Sequence, residues 1–217
     1  MRKKIILMLL MAAFLTGGAF AQINMSAGLG GNFGVYMRSY SGDGDNPKPV
    51  IGSGFHAFFD ATYAVAKLGM FIGGSSDEIE GPYGKSKYKN TSAFFSLGLL
   101  GKYPIELGSF TLFPMLGFEY NIFMSGKYSS EVNGVEVSSE KGSRSDLGDE
   151  SSANDMFILQ LGAGADINLT DNIYLRPSLL WGIDLHRNSK EKADKEIRDV
   201  SVFKHKLDVG IAIGYKF

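Results

Sequence analysis

The stretch Leu207-Asp-Val-Gly-Ile-Ala-Ile-Gly-Tyr-Lys-Phe217 closes the chain and decides its fold. Apolar or aromatic side chains occupy every odd position from 207 to 217, and the residues between them are small or charged. Because side chains on a β-strand alternate between two faces, one face of this segment is wholly apolar and the other buries nothing large. The pattern predicts a strand. A strand of a soluble sandwich can share this pattern, so only the remaining sequence can indicate whether the apolar face contacts a protein core or lipid.

The first residues have the features of a cleaved secretion signal. Three basic residues at 2–4 precede an apolar run at 5–15, and an A-x-A cleavage site follows at 19–21. The apolar run is shorter than the ~20 residues that a membrane helix needs, which argues against a retained anchor. We therefore expect 1–21 to be a signal peptide and 22–217 to be the mature protein.

The composition excludes several classes of protein. The 217 residues carry a net charge of -1 and contain no cysteine, so neither lipidation nor a disulfide framework is possible. Nucleic-acid binding calls for a basic stripe, and none is present, so we expect no nucleic-acid partner. The 28 glycines, 16 phenylalanines and 10 tyrosines suit strands with a crowded inner face and an outer face in lipid.

Eight segments of the mature chain alternate apolar and polar residues with the period of a strand. They lie at 24–39, 52–63, 67–74, 90–101, 110–128, 155–169, 173–187 and 200–217. The connections after the second, fourth and sixth are short, whereas the others are long and polar. Among the long ones are a charged loop at 75–89 and a segment at 127–154 with a type I′ hairpin signal, Asn133-Gly134. Short turns on one side and long loops on the other are typical of outer-membrane barrels.

The signal peptide, this alternation and the terminal strand make the mature chain resemble the small outer-membrane β-barrels, namely the OmpA transmembrane, OmpX and OmpW-like families. The resemblance implies an all-β fold, an eight-stranded antiparallel up-and-down transmembrane barrel in the bacterial outer membrane, with extracellular loops and periplasmic termini. It also implies that the last strand is an insertion signal for the barrel-assembly machinery. That signal would comprise Val209, Ile211, Ile213, Tyr215 and Phe217.

A secreted soluble sandwich or lipocalin-like barrel is the main alternative. There the apolar face would point inward, and the opposite face would be polar all along each strand. Here the other face is rich in glycine, serine and isolated charges, so we favour the membrane barrel and outer-membrane lipid as its surroundings.

Charged residues fall on the face that would line the lumen. An eight-stranded barrel is only just wide enough for side chains to fill, and buried charges must be paired. The sequence therefore predicts an ion-pair network that plugs the lumen, with Arg176 and Lys206 as its cationic centres; a proton or ion path is the alternative. The predicted network comprises Glu119, Asp166, Arg176, Asp184, Lys206 and Asp208.

Two aromatic sets are expected to form belts at the two membrane interfaces. The outer set is Tyr36, Tyr40, Tyr83, Tyr88 and Tyr128, and the inner set is Tyr63, Tyr103, Tyr174, Tyr215 and Phe217.

No spacing selects a catalytic set, a metal site or a cofactor site, so we expect no enzyme activity and no cofactor. Two functions compete. In the first, the plugged barrel acts through its loops, by binding an extracellular protein or host ligand or by supporting envelope integrity. The hairpin at 133–134 could then offer a strand edge to a partner. In the second, an OmpW-like narrow channel carries small or hydrophobic solutes, which the inner aromatics Phe58, Phe94, Phe113 and Phe123 would favour.

Overall fold

A computed structural model of the chain describes residues 24–40, 48–81, 84–147, 154–186 and 202–217. The strands are β1 Met25–Tyr40, β2 Val50–Ala61, β3 Ala64–Gly81, β4 Gly84–Lys102, β5 Ile105–Leu107, β6 Phe110–Val132, β7 Val135–Ser143, β8 Met156–Asn168, β9 Ile173–Asp184 and β10 Val202–Lys216. One helical turn, α1, spans Arg144–Leu147. None of the helical structure in these residues is long and apolar enough to cross a membrane.

Eight of the strands close into a ring. Each of β1, β2, β3, β4, β6, β8 and β9 pairs antiparallel with the next ring strand, and β10 closes the ring on β1 from Ser26↔Lys216 to Tyr40↔Val202. The short β5 and the longer β7 pair with β6 outside the ring. The predicted fold class, an eight-stranded antiparallel up-and-down barrel, is confirmed.

The two ends of the barrel differ in their connections. At the turn end, residues 62–63, 103–109 and 169–172 link consecutive ring strands. The start of β1 and the last residue of the chain also lie there, where the Phe217 amide donates to the Met25 carbonyl. At the opposite, hairpin end, β3, β4 and β6 extend well beyond the ring. The predicted signal peptide lies outside the described residues, as do most of the loops predicted at 41–49 and 188–199.

The wall of the barrel has its apolar side outside. Large apolar side chains such as Leu116, Leu161 and Ile211 alternate along the ring strands and are more than half exposed. The inward positions hold glycines, buried aromatics and most of the buried charges. A soluble barrel has the opposite distribution, so this exterior is suited to lipid, and the ring is a transmembrane β-barrel.

Glycines let large rings fill the interior. A Cβ on Gly214 would lie 2.2 Å from Cζ of Tyr174, and one on Gly28 would lie 2.6 Å from the ring of Phe58. Real Cβ atoms do not approach so closely, so any side chain at these positions would displace the ring packed against it.

The prediction of a charged loop at 75–89 is wrong in part, because most of this segment forms strands. β3 continues to Gly81 and β4 begins at Gly84, with Ser75↔Asn90 through Gly81↔Gly84 in register. Cross-strand pairs between Glu80 and Lys85 and between Glu78 and Lys87 connect the two strands. The segment has no apolar alternation, so the period that reveals strands in a membrane wall is missing.

The Asn133-Gly134 hairpin is present. Both residues have positive φ, 51° and 83°, as a type I′ turn requires. From this turn β7 runs back along β6 to Ser125↔Ser143, while β4 pairs with the opposite edge of β6. A four-stranded sheet of β3, β4, β6 and β7 therefore rises from the hairpin end of the barrel.

Candidate functional site: the barrel lumen

The charged residues inside the ring form three groups, which we name the lower, middle and upper clusters from the turn end to the hairpin end. The lower cluster comprises Asp60, Lys102, Asp166 and Arg176. Arg176 holds Asp166 with two parallel bonds, Nε to Oδ1 at 2.6 Å and Nη2 to Oδ2 at 2.8 Å. Its Nη2 also donates to Asp60, which Lys102 contacts at 2.6 Å. Two cations and two anions thus neutralise one another in the most tightly bonded part of the lumen.

Aromatic rings surround the Arg176 guanidinium. Its Cζ lies 4.8 Å from the ring centre of Phe58 and 5.0 Å from those of Phe113 and Tyr174. Nη1 is buried without a hydrogen-bond partner, so ring faces take the place of an acceptor on that side. The side chain is therefore fixed by carboxylates along one edge and by π-faces elsewhere.

The middle cluster comprises Lys67, Glu119, Lys206 and Asp208. Lys206 Nζ bonds to Glu119 and lies 2.7 Å from Oδ2 of Asp208. The remaining carboxylate positions accept bonds from side-chain amides: Asn121 at 2.9 Å and Gln160 at 3.1 Å donate to Glu119, and Asn32 at 2.9 Å donates to Asp208. Buried carboxylates satisfied on several sides have little freedom to reorient.

A small cavity adjoins the middle cluster. It measures about 40 Å³ and is bordered by Lys67, His56 and the cluster carboxylates. Since a water needs roughly 10–15 Å³ of such volume, about three waters would fill it. This cavity is thus the size of a few solvent molecules.

Among the described residues, the upper cluster includes Asp184 and Lys204, whose Oδ2 and Nζ lie 3.9 Å apart. Tyr36 donates its hydroxyl to Asp184 at 2.8 Å, and the backbone amides of Phe157 and His186 donate to the other oxygen. Asp184 thus accepts hydrogen bonds from three residues near the hairpin-end termini of ring strands.

The structure brings five of the six predicted network residues into the lower and middle clusters, and Asp184 lies apart from both. Arg176 contacts Asp166, and Lys206 contacts Glu119 and Asp208. The prediction omitted Asp60, Lys102 and Lys67, which complete these clusters. The sequence pattern assigns Lys102 to a connection, but it is the last residue of β4 and points inward.

The inner aromatics do not line a common pocket. Phe58 and Phe113 belong to one buried apolar group with Tyr174, whereas Phe94 and Phe123 belong to another with Tyr36. The assignment of Tyr36 and Tyr174 to interfacial belts is wrong, because both are buried in the lumen. The other inner-belt residues are exposed at the turn end: Tyr63, Tyr103, Tyr215 and Phe217. Of the outer set, Tyr88 and Tyr128 stack at 6.3 Å, while Tyr83 and the side chain of Tyr40 lie outside the described part.

The predicted insertion signal lies on the lipid-facing side of β10. Its five side chains are each more than half exposed: Val209, Ile211, Ile213, Tyr215 and Phe217. This face is therefore accessible along the whole turn-end half of the closing strand.

One further charged contact ties the outer sheet to the ring. Asp155, just before β8, accepts bonds from Arg144 at 2.8 Å, from the Phe123 amide at 2.9 Å and from the Tyr120 hydroxyl at 2.9 Å. Burial alone would raise the pKa of Asp155, but these donors outweigh it and lower the pKa of this carboxyl below its ordinary value.

No group of three or more His, Cys, Asp or Glu side chains in the described ranges is placed to hold a metal ion. The luminal carboxylates are engaged by Lys, Arg and amide donors, so the arrangement suits closure of the lumen more than binding of a cation.

A closed antiparallel ring with an apolar exterior and a packed, charged interior defines the class of protein, a transmembrane β-barrel. No family model matches the chain, and no curated protein matches it.

Several solved structures share the architecture. Neisserial surface protein A is 13% identical, with 86% of this chain and 95% of that chain covered and a TM-score of 0.46. Ail of Yersinia pestis, in complex with the heparin analogue sucrose octasulfate, is 13% identical, with 90% and 100% covered and a TM-score of 0.40. The outer membrane protease OmpT of Escherichia coli is 10% identical, with 92% and 99% covered and a TM-score of 0.40. These neighbours are outer-membrane barrels, as the sequence resemblance indicated. At such identities and scores the likeness is one of architecture and carries nothing about function.

Proposed function

We propose that the protein is an integral outer-membrane barrel whose lumen is closed by its ion-pair clusters and which acts through its outer hairpins. The hairpin end faces the exterior, the termini face the periplasm, and β10 is the strand recognised by the assembly machinery. The protein binds an extracellular protein or a host ligand at the cell surface, or it supports the integrity of the envelope. We assign it no catalytic reaction.

The observation that carries this proposal is that side chains fill the lumen. Lower and middle clusters each combine two cations with two anions in direct or near contact, and two buried apolar groups fill the space around them. Removing one partner of a buried pair costs about 3–5 kcal/mol, because the other charge is then left unpaired, so each cluster favours keeping its side chains in the lumen.

The outer hairpins supply the surface for interaction. β7 is exposed along most of its length, and Val135 and Val137 are more than half exposed. Among the described residues β7 pairs with β6 alone, which leaves one strand edge for β-augmentation by a protein partner.

Solute flux tests the closed lumen. Mature protein refolded into liposomes should pass glycine and disaccharides no faster than protein-free liposomes do. The double variant Arg176→Ala, Lys206→Ala removes the cationic centres of both clusters and should leak. A wild-type protein that already passes these solutes would overturn the closed lumen and favour the narrow channel.

Two further variants keep the flux test interpretable. Leu116→Ala with Leu161→Ala trims two outward side chains instead and should remain tight, which separates lumen opening from general loss of stability. If the first variant does not fold, Glu119→Ala with Lys206→Ala removes an opposite pair and leaves Asp208 with Lys67. Circular dichroism checks that each variant has formed its sheet. A folded, tight Glu119→Ala, Lys206→Ala variant would show that the Glu119–Lys206 pair is not needed to close the lumen and would leave the lower cluster as the closure.

A further inference from the structure

The basic residues of the outer hairpins are mostly matched with acids. The pairs are Lys85–Glu80, Lys87–Glu78, Lys89–Glu131 and Arg144–Asp155. Within the described part of the chain, Lys127 and Lys141 make no salt bridge. They are also the two basic residues that lie directly opposite each other in the β6–β7 ladder. Like charges in that position repel and destabilise a sheet, so an anion bound between the two ammonium groups would relieve the repulsion.

Both lysines border one cleft on the outer face of the sheet. The cleft measures about 430 Å³, and the hydroxyl-bearing residues Thr91, Ser125 and Ser143 also line it. Gly126 and Gly142 contribute backbone alone, which keeps the floor open between the strands. The size and the donors fit a phosphate-bearing headgroup.

The cleft begins where the apolar wall ends. On β6 the outward side chains at even positions are apolar from Phe110 to Met124. A β-bulge at that point shifts the alternation by one residue, so Ser125 and Lys127 are the next outward side chains. On β4 the outward positions change from Ala93 to Thr91 at the same level, since Ala93 pairs with Ser125 and Thr91 with Lys127. Lys127 is thus about 10 Å of strand beyond the last apolar residue, at the depth of lipid headgroups.

We propose that Lys127 and Lys141 bind the phosphate of an outer-leaflet lipid headgroup, with the hydroxyls of Thr91 and Ser125 as additional donors. This inference rests on the membrane placement in the proposed function, because it needs the hairpin end at a bilayer surface. A phosphate between the two ammonium groups would turn their repulsion into two charge-assisted bonds.

One carboxylate limits the affinity of this cleft. Asp146 lines it and accepts bonds from the Ser143 amide at 2.9 Å and the Ser143 hydroxyl at 2.7 Å. These bonds occupy the Ser143 hydroxyl and place a negative charge near the ligand. Asp146→Asn keeps an acceptor for Ser143 and removes the charge, so this variant should bind phosphate more tightly.

Lipid binding in dodecyl maltoside micelles tests the proposal. Native mass spectrometry would compare phosphatidic acid with diacylglycerol, which differ only in the phosphate. We expect the wild type to retain phosphatidic acid selectively, and Lys127→Gln with Lys141→Gln to weaken that binding about tenfold to thirtyfold. Asp146→Asn should shift it in the opposite direction.

The matched control is Lys85→Gln with Lys87→Gln, which removes the same charge from the neighbouring hairpin and should leave binding unchanged. An equal loss of phosphatidic acid binding in both double variants would mean that the net charge of the protein attracts the lipid and that the cleft is not a specific site. Inorganic phosphate in large excess should compete poorly; full competition would assign the cleft to free phosphate instead. Lumen closure plays no part in micelle binding, so this result is independent of the flux measurement.

Stability without lipid provides a second readout. If the lysines serve a ligand, Lys141→Gln relieves repulsion, and the variant should unfold no earlier than the wild type in phosphate-free micelles. A clear loss of stability would show that the lysines are structural and would overturn the proposal.

Discussion

Asp155 connects three parts of the molecule through one carboxyl group. Its donors come from α1, from the backbone of β6 and from a lipid-facing tyrosine, so the ionised form fastens the outer sheet to the ring. An ionised carboxylate accepts all of these bonds, whereas the protonated acid must give up part of its acceptor capacity.

This contact predicts a defined response to acid. Because the pKa of Asp155 is lowered in the folded protein, its stabilisation is complete above the unfolded-state pKa of about 3.9 and is lost as the pH falls through the lower folded value. Unfolding midpoints in detergent should therefore differ between wild type and Asp155→Asn by a constant amount from neutral pH down to about pH 5, and converge in stronger acid. Convergence already above about pH 5 would contradict the lowered pKa.

Individual residues also show where sequence reasoning stops. Arg176 and Lys206 are recognisable as luminal because strand parity fixes the face of each residue. The role of Asp60 is not recognisable, since it lies 116 residues before Arg176 and meets it only when the ring closes. Parity gives the face of a side chain, whereas its partner across the lumen depends on strand register and tilt.

At the scale of elements, β10 combines two requirements along alternate positions. Its odd residues contact the surroundings, and its even residues face the lumen, where Gly214 leaves room for the Tyr174 ring. The same alternation made this strand the clearest prediction from the sequence. The sequence does not predict the outer part of β3 and β4, because exposed ion pairs connect these strands there. Such pairs require no alternation of apolar residues.

Gly214→Ala should destabilise the barrel by about 1–3 kcal/mol, because the new methyl group displaces the Tyr174 ring from a filled interior. Urea unfolding in lipid vesicles, followed by the fluorescence of the single tryptophan Trp181, measures the change. Gly31→Ala is the control, since its Cβ would meet only the Gly54 carbonyl at an ordinary 3.6 Å. Equal effects of the two substitutions would argue against close packing at the turn end.

For the whole molecule, the apolar exterior separates a membrane protein from a soluble barrel. Leu161 lies midway along β8 and faces outward between Leu116 and Trp181 on the neighbouring strands. In a soluble protein an arginine would be tolerated at such an exposed position. In a bilayer it faces hydrocarbon.

Leu161→Arg should therefore destabilise the protein by about 2–4 kcal/mol in lipid vesicles. Val137→Arg, equally exposed but on the outer hairpin, should be nearly neutral. Reversible urea unfolding in the same vesicles measures both. A neutral result at Leu161 would return the soluble barrel to consideration.

Two clusters of the lumen are balanced among the described residues: two cations face two anions in the lower cluster, and the same holds in the middle cluster. A voltage across a membrane does work of about 2.3 kcal/mol per elementary charge per 100 mV, but only on charge that is displaced along the field. Where opposite charges move together, those contributions cancel. We therefore expect the proposed plug to have almost no gating charge and the barrel to respond little to a membrane voltage.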